Sequence, residues 1–296
     1  MTIPKSVRDA LAHLGWRQAM LDELSALHNS GTWELVPLLS GKSVFGCRWV
    51  FAIKVGPYGT IDCLKARLVA KSYTQIFGLD YGDTFSPVTK MASVRLFIAM
   101  AALQKWPLYQ LDVKNAFLNG DLQEEIYMEQ PPGFVAQGES SGLVCRLRKS
   151  LYVLKQSPRA WFGKFSNVVQ QFGMTRCEAD HSGFDRHSSA GCVYLIVYVD
   201  DIVLTGSDNH GTSQMKQHLC DHFLIKDLGK LRYFLGVEVA QFDKDDIVIS
   251  QRKYALDILE ETGLMNSKSV DTPMDPNTKL SQIRGSLCQI PNNIED

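Results

Sequence analysis

Two adjacent carboxylates, Asp200 and Asp201, stand inside YLIVYVDDIVLTG (194–206), between two runs of apolar and β-branched residues that read as strands. Two unit charges about 4 Å apart repel by about 4 kcal/mol at an effective dielectric near 20, and withdrawing them from water costs more. One reading is a solvated acidic hairpin tip, although a tight turn favours glycine over an Asp-Asp pair. The other is a divalent-cation site, because hard cations take carboxylate oxygens and neutralise their repulsion. A third carboxylate, Asp112, is an isolated charge in the otherwise apolar YQLDV (109–113), and reads either as a strand-end or cap aspartate or as a further ligand. Three carboxylates at the ends of two strands can hold two magnesium ions about 3.5–4 Å apart, the arrangement that drives in-line phosphoryl displacement in polymerases and nucleases.

The elements that must position these acids are legible in outline. Leu11, Leu14, Met20, Leu21, Leu24 and Leu27 give residues 8–28 a mostly helical spacing. Segments 44–55 and 61–73, separated by Gly56, Pro57 and Gly59, predict a hairpin. A helix is expected from Met91 to Leu103, ended by Trp106-Pro107, with a strand over Leu108–Val113. Ser157-Pro158 is a helix start with serine at the cap, and Trp161, Phe165, Val168 and Phe172 then share one apolar face. After the acidic pair the pattern predicts a helix near 209–222, short strands around 231–239 and 247–250, and a helix near 251–262. The last 25 or so residues carry Pro273, Pro276 and Pro291 with no period, and a poorly ordered tail is expected. Strands and helices mix without strict alternation, which favours an α+β architecture. No glycine-rich Rossmann or P-loop stretch is present in the sequence.

With 296 residues, 45% of them hydrophobic, the chain is long enough for one large or two ordinary domains and a sizeable core. A formal net charge of −1 argues against a uniformly basic nucleic-acid binder. The distribution is uneven, however: between Cys145 and Cys177 lie Arg146, Arg148, Lys149, Lys155, Arg159, Lys164 and Arg176, with no Asp or Glu. Seven cysteines with no C-x-x-C pair suggest neither a zinc module nor a complete disulfide framework. With no signal peptide and no apolar run near 20 residues, a soluble, intracellular protein with no membrane partner is expected.

LDVKNAFLNGDLQEEIYMEQPPGF (111–134), SLYVLKQSPRAWF (150–162) and YVDDIVLTG (198–206) resemble the consecutive reverse-transcriptase motifs of copia-type LTR retrotransposons. KARLVAKSYTQ (65–75), DTFSPV (83–88), KDLGKLRYFLGVEV (226–239), SQRKYALDILEETG (250–263) and VDTPMDP (270–276) are similar to the same family, in order. The resemblance covers roughly residues 16–280 and implies an α+β right hand with a ferredoxin-like palm, fingers, and the start of a thumb or connection. It divides the chain into a helical lead-in at 1–41, fingers and palm at 42–240 with the palm core near 105–120 and 151–240, thumb or connection at 241–280, and a tail at 281–296.

The resemblance further implies that Asp112, Asp200 and Asp201 are catalytic and hold two Mg2+ ions during RNA-directed DNA synthesis. Phe117 matches an aromatic beneath the incoming sugar, and Lys65 and Arg67 match the segment that holds triphosphate oxygens. Gln156 and Ser157 match the lining of the nucleotide and template site, with the basic run 145–177 tracking phosphates. Leu235 and Gly236 match the primer grip, and Lys226 a proton donor to pyrophosphate. Implied partners are an RNA template, a DNA primer, deoxynucleoside triphosphates, and polyprotein segments such as ribonuclease H and integrase.

Two positions depart from the family pattern: Val153 stands where the family has glycine, and Ser72 replaces another usual glycine. The sequence also stops near the point where the family continues. An isolated or truncated polymerase portion of a polyprotein is therefore expected, with a catalytically inactive remnant that at most binds nucleic acid as the alternative. A two-metal nuclease would explain the acids but neither Phe117 nor the fingers match.

Overall fold

The computed structural model describes residues 2–56, 60–78, 80–135, 142–242 and 246–269. The expected turn at Pro57 and Gly59, the VDTPMDP motif and the expected tail lie outside the described residues.

Ser6 caps α1 (Val7–Ala12) by accepting from the Asp9 N–H at 3.1 Å, and the His13 ring caps α2 (Leu14–Asn29). Strands β1 (Trp33–Val36), β2 (Val44–Phe45), β3 (Cys47–Val55) and β4 (Ile61–Ala70) follow. Helix α3 (Met91–Gln104) stops at Lys105, which takes the left-handed conformation common at helix ends. The chain continues through β5 (Tyr109–Val113), β6 (Asp121–Met128), β7 (Val144–Lys149) and α4 (Ser157–Gln171). Next are β8 (Thr175–Arg176), β9 (Gly183–Ser188), β10 (Gly191–Tyr198) and β11 (Asp201–Gly206). Helix α5 (Asn209–His222) is capped by the Asp208 carboxylate on the Gly211 N–H, and leads to β12 (Ile225–Lys230), β13 (Tyr233–Phe234), β14 (Val237–Gln241) and β15 (Ile247–Ser250). The chain divides into two compact units, Met1–Ser250 and Gln251–Asp296; the second contains α6 (Arg252–Glu261), braced by a Lys253–Asp257 pair one turn apart.

The fold mixes α and β elements, and its largest sheet is six-stranded, antiparallel and ordered β12-β5-β11-β10-β9-β8. Side chains alternate across it. Val193, Leu195, Val197, Ile202 and Leu204 pack on one face with Trp161, Phe165 and Val168 of α4 and Met215 and Leu219 of α5. Ile196 and Val203 face the other way, clustered with Val94, Ile98 and Ala101 of α3 and with Phe234 and Val237. Burial on both faces is why the two strands flanking Asp200 read as nearly continuous apolar runs. Each such side chain contributes roughly 1.5–3 kcal/mol of burial. A separate core joins α1 and α2 to β3, β4 and β7 through Ala10, Trp16, Met20, Trp49, Leu68 and Leu147.

Two local expectations need correction. The strand expected near 231–239 is a hairpin of β13 and β14, and the pattern does not predict β12 before it: its largely polar sequence IKDLGK, with a register shift between Asp227 and Gly229, forms an edge strand of the main sheet. Ser157 is the first helical residue rather than the cap: Gln156 occupies that position, and the Ser157 hydroxyl donates to the Leu151 carbonyl at 2.7 Å.

Candidate active site

Antiparallel pairing of β10 with β11 sets Tyr198 opposite Asp201 and leaves Val199 and Asp200 as a two-residue turn. Val199 has φ 54°, a positive φ at the first central residue, where hairpins of this kind favour glycine. A β-branched residue there stores strain of about 1–3 kcal/mol, and such strain persists only where surroundings over-determine it. Two hydrogen bonds do so: Trp161 Nε1 donates to the Val199 carbonyl at 2.7 Å, and the Val113 N–H donates to the Asp200 carbonyl at 2.8 Å. On the other side of β11, the register with β5 places Asp112 directly opposite Asp201, and the β5–β12 register places Lys226 opposite Asp112.

The Asp200 and Asp201 carboxyls are both pushed above the ordinary carboxylate range, chiefly by lost hydration and further by neighbouring carboxylates. Opposing this, Lys65 draws Asp200 down, and Gln110 Nε2 donates to Asp201 Oδ1 at 3.2 Å. Among the described residues no three His, Cys, Asp or Glu side chains converge closely enough to hold one metal ion, so the expected three-carboxylate cage is not closed as the side chains stand. The donor set still suits a hard divalent cation: oxygen donors only, on adjacent strands, with repulsion that a cation would neutralise.

The β3–β4 hairpin brings cations to this place. Lys65 is exposed on β4 and acts on Asp200, while Lys226 of β12 acts on Asp62 of the same hairpin. Arg67, on the same strand face as Lys65, donates from Nη1 to Glu23 Oε2 at 2.8 Å, and its guanidinium lies 5.0 Å over the Tyr152 ring. Phe117 meets Tyr152 edge to face at 6.2 Å and lines a small cleft with Pro158, Trp161, Tyr198 and Val199. Leu235 and Gly236, at φ 48° and 80°, form the two-residue turn between β13 and β14, the double positive φ of a tight hairpin.

The reverse transcriptase (RNA-dependent DNA polymerase) family model matches residues 30–276. The chain belongs to this family. It is 43% identical over 284 residues to the retrovirus-related Pol polyprotein from transposon RE1 of Arabidopsis thaliana, covering 96% of this chain and 19% of that protein. The RE2 polyprotein of the same plant is 41% identical, with the same coverage. The Pol polyprotein from transposon TNT 1-94 of Nicotiana tabacum is 38% identical over 301 residues, 97% of this chain and 23% of that protein. The chain thus spans about a fifth of the length of these copia-type relatives.

Not every residue singled out in this reverse transcriptase domain presents its side chain to the carboxylates. Gln156 is buried, accepting from Gln75 Nε2 at 3.0 Å and donating to the Asp80 carbonyl at 3.2 Å, so its amide is engaged with Gln75 and Asp80, while the residue borders a cleft shared with Asp121, Arg159 and Lys164. Ser157 is equally buried on Leu151. The basic run is largely engaged within the chain: Arg146 and Arg148 pair with Glu34, Arg159 with Asp83, Lys164 with Asp121, and Lys155 Nζ lies 4.5 Å over Tyr81. Sequence reasoning missed the indole of Trp161, Gln110 and Glu23. Glu23 had a signal, an acid on the apolar face of a helix three residues after Met20 and four before Leu27. Among the described residues no helix is long and apolar enough to cross a membrane.

Proposed function

We propose that this chain is the RNA-directed DNA polymerase portion of a longer copia-type polyprotein, extending a DNA primer on an RNA template with deoxynucleoside triphosphates. One observation carries the reading: the β5–β11 register sets Asp112 opposite Asp201, beside a strained turn that presents Asp200. In this reading the six-stranded sheet with α4 and α5 is a ferredoxin-like palm, β3–β4 belongs to the fingers, and a thumb or connection begins near 241. Asp112, Asp200 and Asp201 hold two magnesium ions, which when bound acidify the primer 3′-hydroxyl and neutralise the triphosphate. Lys65 and Arg67 bind triphosphate oxygens, for which exposed cations are suited. Phe117 packs beneath the incoming sugar and excludes a 2′-hydroxyl. Gln156 and Ser157 shape the site by anchoring the segments around it, and the Leu235-Gly236 turn supports the primer end. The partners are the template, the primer, the triphosphates and further polyprotein segments such as ribonuclease H and integrase.

A second reading, a remnant that binds nucleic acid without catalysis, is favoured by Val153, which holds φ 73° where the family pattern has glycine. Magnesium-dependent primer extension on an RNA template separates the two, with wild type, Asp200→Asn and Val153→Gly compared. The first reading expects extension by wild type and a loss of more than about 100-fold in Asp200→Asn, since cation stabilisation is worth several kcal/mol. Full activity in Asp200→Asn would overturn the mechanism. Extension by Val153→Gly alone would establish the second reading.

A further inference from the structure

Arg67 meets a buried carboxylate contributed by a segment that precedes the family-model match. Glu23 of α2 is 4% exposed. Its Oε2 accepts from Arg67 Nη1 at 2.8 Å, and its Oε1 accepts from the Leu68 N–H at 3.4 Å. Beyond Arg67 the contacts continue: the guanidinium lies over Tyr152, whose hydroxyl donates to Asn115 Oδ1 at 3.1 Å and whose ring meets Phe117. One chain of contacts therefore links α2, β4 and the turn at Tyr152 to the segment that follows Asp112.

A buried ion pair adds little stability over apolar residues of the same volume, so stability alone gives little reason for this one. What such a pair does is fix where a planar fork points. The Arg67 side chain remains 37% exposed, and a guanidinium carries five N–H donors, of which Glu23 takes one. Removing the carboxylate would leave Arg67 with rotamer freedom to lose again on every nucleotide-binding event.

We propose that Glu23 is a positioning residue for nucleotide binding, clamping Arg67 against Tyr152 so that the unused edge of its fork is ready for the triphosphate of an incoming deoxynucleotide. This rests on the reading of Arg67 as a triphosphate ligand. The test uses the full chain on an RNA template with a DNA primer. Primer extension gives kcat and the KM for deoxynucleotide, and a dideoxy-terminated primer gives equilibrium binding of the magnesium–deoxynucleotide without chemistry. Glu23→Gln is expected to raise KM and weaken nucleotide binding by about 10-fold, with kcat and primer–template affinity changed less than about 2-fold. Arg67→Lys is expected to do the same, and the double variant to be no worse than the poorer single, because both act through one contact. Should Glu23→Gln fail to give a folded circular-dichroism spectrum, Glu23→Asp, which retains the charge but withdraws it by one methylene, is expected to show the same selective rise in KM.

An unchanged KM in a folded variant would overturn the proposal. So would effects that add in full to those of Arg67→Lys, or kcat, KM and primer–template affinity all worsening together, which is the signature of a purely structural contact. Wild type that neither extends the primer nor binds the nucleotide would remove the polymerase reading, and this inference with it. Wild type that binds the nucleotide no better than Glu23→Gln removes the inference alone.

Discussion

Val153, Val199 and Leu235 take φ values of 73°, 54° and 48°, in the left-handed region that β-branched and bulky residues avoid. Two of them belong to turns that the proposed chemistry uses, Val199 beside Asp200 and Leu235 in the β13–β14 hairpin proposed to support the primer end. Val153 is the one with an evident remedy. The Leu154 N–H donates to the Leu151 carbonyl at 3.3 Å, and the positive φ falls on the third of the four residues, the position of a type II turn that calls for glycine. Val153 is 59% exposed, so its side chain has little packing to lose. Relief of left-handed strain is worth about 1–2 kcal/mol, offset by about 0.5–1 kcal/mol for the greater freedom of glycine in the unfolded chain. Val153→Gly should therefore raise stability by about 0.5–1 kcal/mol, measured as a higher urea midpoint at constant slope. An unchanged midpoint would mean that the turn costs valine nothing. The sequence marked this position by resemblance; the torsion angle supplies the physical reason.

Helix α4 shows how an element can be read correctly while its role is missed. The apolar spacing of Trp161, Phe165 and Val168 indicated a core face, and these residues do pack against the main sheet. Periodicity says nothing of the indole N–H, which reaches the Val199 carbonyl 38 positions away. Trp161→Phe keeps most of the apolar surface but leaves that carbonyl without its donor, at a cost of about 1–3 kcal/mol. The expected outcome is a lower urea midpoint together with a lower kcat for primer extension, because the turn carrying Asp200 loses one of its two restraints. A variant as stable and as active as wild type would show that the hydrogen bond contributes nothing. β12 makes the complementary point: an edge strand needs no apolar alternation, so its polar residues gave no periodic signal, and only pairing with β5 identifies it.

At the scale of the whole molecule, Asp180 joins the segment before β9 to the start of α3. Its carboxylate accepts from the Lys90 N–H at 3.0 Å, the Ser182 N–H at 3.1 Å and the Ser182 hydroxyl at 2.6 Å. Burial pushes this carboxyl up, but the hydrogen bonds from Ser182, Ser93 and Lys90 prevail and hold it down at about 2. A depressed folded value means that the stabilisation is fully present above the ordinary aspartate pKa near 3.8 and is lost as pH falls toward 2. The shift corresponds to roughly 2 kcal/mol. Asp180→Asn should lower stability by about that amount at pH 7 and flatten the acid limb between pH 4 and 2, followed by circular dichroism; an acid limb identical to wild type would contradict it. The sequence by itself determined the carboxylate pair and its flanking strands, the apolar faces of α2 and α4, and membership of the family, because these are written in local periodicity and contiguous motifs. Only the tertiary structure decided that Asp112 faces Asp201, that Gln156 spends its amide on Gln75 some 81 positions away, and that Arg67 is held by Glu23 from 44 positions away. Such pairings follow from which surfaces the packed core brings together, and no local pattern encodes a partner that distant.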